Sequence, residues 1–107
     1  MNRQLFILIA ALAVSPFASA GDAAKGKALA EQKCAACHGA DGNKPLTPET
    51  PRLGGQYYDY LEHSLKAYRS GTRDDPLMSP MAKPLSDKEV KDLAWYFSKQ
   101  KGLTSKY

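Results

Sequence analysis

The chain has 107 residues, with 15 Lys and Arg against 11 Asp and Glu, a formal charge of +4 at pH 7 and two cysteines. That length allows one small domain; the basic residues are spread without a run of five or more, which leaves no nucleic-acid footprint; and two cysteines are too few for a disulfide framework. A domain of this size buries little surface and needs a staple, a metal or a cofactor to hold together.

The first segment has the layout of a secretory signal: Arg3, an apolar stretch from Leu5 to Val14, then Ala18-Ser19-Ala20 before Gly21. Leu5 to Phe17 is 13 residues, short of the roughly 17 to 25 that span a bilayer. Residues 1–20 are therefore expected to be removed on export to the periplasm, leaving 21–107 as one domain of 107 − 20 = 87 residues with no membrane span. With Arg3 gone, 14 Lys and Arg face 11 Asp and Glu, a mildly basic surface that is either plain solvated charge or a lysine rim steering acidic redox partners.

Beyond the signal, three helical segments are predicted, and no alternating strand pattern occurs. Asp22 caps a first helix from Ala23 towards Cys34, with Gly26 and Leu29 on its inner side. A second runs from about Gln56 to Ser70, with Tyr57, Leu61, Leu65 and Tyr68 on one face and Gly71 as its stop. Ser86-Asp87-Lys88-Glu89 reads as a capping box opening a third helix with Val90, Leu93, Ala94 and Phe97 at helical spacing, ending near Lys101. Gly39 to Gly55 and Thr72 to Leu85 are loops with three prolines each, Pro45, Pro48 and Pro51, then Pro76, Pro80 and Pro84. Long loops stiffened in this way, in an all-α domain, are expected to wrap around something.

Cys34-Ala35-Ala36-Cys37-His38 says what. C-x-x-C-H is the attachment signature of c-type haem: Cys34 and Cys37 add to the vinyl groups, and His38 lies under the iron as proximal ligand. A structural zinc site needs four Cys or His ligands and finds only these three and the distant His63. A thioredoxin-like dithiol belongs beside a βαβ pattern, which the sequence lacks. For the second axial position the chain offers Met78, Met81 and His63. His63 lies about 200° around its helix from Leu61 and Leu65 and is expected to face solvent. One methionine of the second loop is then the ligand and the other packing, and spacing does not choose between them.

These features resemble class I cytochrome c. The stretches Cys37-His38-Gly39-Ala40-Asp41-Gly42-Asn43, Leu53-Gly54-Gly55-Gln56, Tyr60-Leu61, Lys66-Ala67-Tyr68-Arg69-Ser70-Gly71 and Met78-Ser79-Pro80-Met81 look like one half of the dihaem cytochrome c-four family. They are also similar to the haem subunit of flavocytochrome c sulfide dehydrogenase. The resemblance implies three main helices and two long loops around one covalent haem. It favours Met78, eight residues before the capping Ser86, as distal iron ligand, with Met81 as the alternative. It also implies that Gly26 packs against Tyr96 of the last helix. The chain departs from the family at Ala30, where an aromatic is frequent, and in having a single haem motif.

The expected function is that of a periplasmic monohaem electron carrier, not an enzyme, cycling its iron between ferrous and ferric states and meeting redox partner proteins in brief encounters. The competing readings are the haem subunit of a flavoprotein dehydrogenase such as sulfide dehydrogenase, a haem sensor or peroxidase, and a non-haem dithiol or metal protein. Partners implied are a flavoprotein subunit or a terminal oxidase or reductase. Arg52, Gln56 and the loop tyrosines are candidates, by position, to hold the haem propionates.

Overall fold

The computed structural model describes residues 21–102. The expected secretory signal at 1–20 lies outside the described residues. Five helices follow one another, α1 (Ala23–Lys33), α2 (Ala35–His38), α3 (Tyr58–Ser70), α4 (Met78–Ala82) and α5 (Asp87–Ser98), with no strand among the described residues. The expected all-α class is what is found; α2 and α4 are short additions within stretches read as the end of the first helix and as loop.

Asp22 caps α1, its carboxylate accepting from Ala24 N and Lys25 N at 2.9 and 3.1 Å. Cys34 has φ −113° and ψ −32°, a slackened turn after which α2 resumes. The first helix thus continues through the cysteine motif with a bend, and Gly39 stops it at φ 86°.

α3 starts at Tyr58, two residues after the expected Gln56. Gln56 N–H already donates to the Leu53 carbonyl at 3.2 Å, and Tyr57 is extended at φ −62° and ψ 136°. Tyr57 is therefore not part of the inner face; it is 48% exposed, and Tyr58 packs against the core in its place, alongside Leu61 and Leu65. Gly71 ends α3 in the left-handed region at φ 84°.

The capping box of α5 is complete, Glu89 N–H donating to Ser86 Oγ at 3.1 Å and Ser86 N–H to Glu89 Oε1 at 3.0 Å. The helix stops at Ser98, short of the expected Lys101. Phe97's carbonyl accepts from Gly55 N–H at 2.9 Å and Gln100 N–H at 3.2 Å, so the last turn tightens and ties to the first loop instead of continuing.

α5 is the pillar of the fold: Val90, Leu93, Ala94, Tyr96 and Phe97 are buried with Ala30, Leu61 and Leu85 in one core. Each such leucine contributes about 1.5–3 kcal/mol by leaving water. α1 crosses α5 at Gly26, where an added Cβ would stand 2.0 Å from the Asp92 carbonyl oxygen and 2.8 Å from Tyr96 Cβ. The implied contact with Tyr96 is present, and the backbone of Asp92 is closer still. This is the packing reason for a helical glycine that otherwise costs about 1 kcal/mol. Ala30 is fully buried at the same crossing. The buried Asp92 carboxylate is satisfied by Asp22 N–H at 2.7 Å and Lys88 Nζ at 3.0 Å.

Candidate functional site

The turn from Cys34 to His38 brings together the three residues of the motif. His38 is 6% exposed, and its Nδ1 lies 2.8 Å from the Pro51 carbonyl oxygen. A carbonyl only accepts, so Nδ1 carries the proton and Nε2 keeps its lone pair. The ring is thereby oriented, with Nε2 as the nitrogen left for a metal. Both cysteines are free thiols, Cys34 half-buried and Cys37 exposed. Burial pushes the Cys34 thiol up to about 11, the opposite of what a dithiol oxidoreductase needs in its attacking cysteine.

The first loop folds back over this turn. Lys44 N–H donates to the His38 carbonyl at 3.1 Å and Leu46 N–H to the Cys37 carbonyl at 2.8 Å. Gly42, at φ 79°, sits so close that a Cβ would meet Gly54 N at 2.8 Å and Phe97 Cδ1 at 2.9 Å. Tyr96 OH donates to the Ala40 carbonyl at 2.7 Å, and Asn43 Nδ2 donates to the Lys101 carbonyl. The loop is thus strapped to α5 and the segment after it, which is what sets Pro51 opposite the histidine.

The second loop carries the methionines. Met78 is the first residue of α4 and half-buried, while Met81 is 41% exposed. Asp75 Oδ1 accepts from Leu77 N and Met78 N at 2.9 and 2.8 Å. Arg69 closes the far end of the loop, donating from Nη1 to the Leu85 carbonyl at 3.0 Å and from Nη2 to Asp87 at 2.6 Å. α4 packs on α3, and α3 on α5, so the methionine loop and the histidine turn reach the same pillar from different helices. His63 is exposed, as expected. Arg52 is exposed, and Gln56 turns its Oε1 to Tyr57 N at 2.8 Å.

Two partnerships escaped the sequence reading. The bond from His38 to Pro51 joins residues 13 apart across an irregular loop, and nothing local announces it. The Asp75 turn had a signal, an Asp-Pro pair just before a helical start.

The donor set fits covalent haem: two free thiols a turn apart and a buried adjacent imidazole with Nε2 left over. It does not fit a zinc site, since among the described residues no three His, Cys, Asp or Glu side chains gather to hold a metal ion unaided.

Residues 23–101 match the cytochrome c family. The chain is 51% identical over 87 residues to cytochrome c-554(548) of Halomonas halodenitrificans, covering 76% of this chain and 99% of that protein. The solved structure of reduced recombinant cytochrome c4 from Pseudomonas stutzeri superposes with a TM-score of 0.71 at 40% identity, over 78% of this chain and 48% of that one. A thiosulfate dehydrogenase electron acceptor from Thiomonas intermedia is 46% identical over 68 residues, 64% of this chain and 31% of that protein. The chain spans about half the length of the cytochrome c4 relatives it matches. With the fold, the donor set and these likenesses in agreement, the chain belongs to the cytochrome c family, an electron-transfer cytochrome with covalent haem c.

Proposed function

We propose that residues 21–107 form a periplasmic shuttle that takes up and releases one electron at a time, after removal of the signal at 1–20. When bound, haem c supplies one-electron cycling between ferric and ferrous iron. Cys34 and Cys37 hold the porphyrin as thioethers, His38 Nε2 is the proximal iron ligand and the Met78 sulfur the distal one, with Met81 as the alternative. The buried His38 whose Nδ1–H is committed to Pro51 carries this reading, because it leaves one well-aimed nitrogen beside the attachment cysteines. Met78 is favoured over Met81 by its lower exposure and by the hydrogen bond from its amide to Asp75. Held by His38 and Met78, the haem would supply electron transfer instead of substrate chemistry, and the strapped loops would keep the surroundings from rearranging as charge changes.

The test is the visible spectrum of the exported protein, oxidised and reduced. A c-type spectrum with the weak far-red band of methionine on ferric iron is expected. A haem spectrum lacking that band points to an open or bis-histidine iron, and a colourless product removes the haem reading. A second reading makes the chain the electron acceptor of a sulfur-oxidising dehydrogenase, a flavoprotein or a haem enzyme. It is favoured by the likeness to a protein named thiosulfate dehydrogenase electron acceptor. A stable dehydrogenase copurifying with the cytochrome supports this second reading; isolation as a free protein supports the shuttle.

A further inference from the structure

α4 begins at Met78 with no side-chain cap from its own N-cap residue, Leu77. The orphan N–H groups of a helix start need partners, and Asp75 supplies them by accepting from Leu77 N and Met78 N at 2.9 and 2.8 Å. Ser79 completes a bracket from the other side of the methionine. Its Oγ accepts from Asp75 N–H at 3.0 Å, and its own N–H donates to the Asp75 carbonyl at 3.0 Å. The hydroxyl is spent inward, donating on to the Arg73 carbonyl at 3.4 Å, and Ser79 is only 7% exposed. A helix of five residues has no cooperative stability of its own. The backbone at Met78 therefore stands where this bracket puts it.

We propose that Asp75 and Ser79 are positioning residues for the distal ligand: their reciprocal hydrogen bonds fix the Met78 backbone and so hold its thioether on the iron. The inference rests on the reading of Met78 as that ligand. What the geometry asks of Asp75 is an acceptor oxygen aimed at two amides, and an asparagine supplies one equally well.

The experiment uses the haem-loaded ferric protein and follows the rate at which imidazole displaces the methionine, read as loss of the far-red band. Asp75→Ala and Ser79→Ala should each speed displacement, Asp75→Ala by about tenfold, the equivalent of about 1.4 kcal/mol against the ligated state. Asp75→Asn should stay within about twofold of the wild type. Asp22→Ala, which strips the cap of α1 instead, should lower the melting temperature and leave the displacement rate unchanged; an equal acceleration there would reduce Asp75 to general stability and overturn the proposal. So would wild-type rates in both alanine variants, or Asp75→Asn as fast as Asp75→Ala. Met78→Ala is measured alongside. Its loss of the band supports the ligand reading, and its retention shows that the ligand, and the proposal with it, is wrong.

Discussion

Around His38 the chain is bonded from several directions: the ring to Pro51, the His38 carbonyl to Lys44 and the Cys37 carbonyl to Leu46. Around Met78 the support is thinner, since the residue is half-buried and its amide is held by one aspartate of its own loop. Leu77 beside it is 75% exposed and Met81 41%. One side of the site is built into the first loop and α5, and the other is a short loop clamped at its ends. The proximal side should therefore decide whether haem is held, and the distal side how it behaves once held.

The largest effect expected from this contrast is at His38. His38→Ala should cut the yield of haem-bearing protein by at least about tenfold and abolish the low-spin spectrum of what remains, measured as haem per polypeptide. Normal haem content with a low-spin spectrum would remove the distinction between the two sides. Met78→Ala should keep full haem content, lower the reduction potential by roughly 0.1–0.3 V out of the about 0.8 V that axial ligands command, and admit cyanide quickly. Met81→Ala should leave both nearly unchanged. Redox titration and cyanide binding check this, and the reverse pattern would move the ligand role to Met81.

The smallest effect is a dependence on pH. The Arg69 guanidinium holds the Asp87 carboxyl below its ordinary value of 3.8. A group depressed on folding contributes its stability above the unfolded value and loses it as pH falls through the folded one. The clamp at the end of the methionine loop should thus be complete above pH 3.8 and fade below it. Asp87→Asn should flatten part of the acid-side loss of the far-red methionine band in the ferric protein; an unchanged profile would assign that loss to groups other than Asp87. Asp87 is exposed, which keeps the effect small.

Much of the fold was legible because its signals are local. The Asp22 cap, the Gly71 stop and the Ser86–Glu89 box each depend on a few adjacent residues, and all stand where expected. The boundaries that moved did so because of distant partners. α5 ends early because Gly55, far back in the chain, takes the Phe97 carbonyl. α3 starts late because Gln56 is already bound to Leu53, and that costs Tyr57 its expected place on the inner face. Within the candidate site, the cysteines and histidine announce themselves by spacing, since a covalent attachment needs a fixed run of residues. The methionine proposed as ligand does not, because a side chain reaching in from a loop is placed by that loop's internal bonding, and sequence distance says little about it.

The bond from Asp22 N–H to Asp92 joins residues 70 apart, so docking α1 onto α5 closes nearly the whole described chain into a ring. Closing a loop of that length costs about 4 kcal/mol of chain entropy, which the crossing at Gly26 and Ala30 must outweigh. Such a contact is high in contact order, and a fold that depends on it folds more slowly than one built from local contacts. A nascent chain that has emerged only as far as α4 has its cysteine motif formed in sequence but no pillar for α1 to dock against. The last dozen residues of the helical fold are thus the ones that turn a string of short helices into a closed domain.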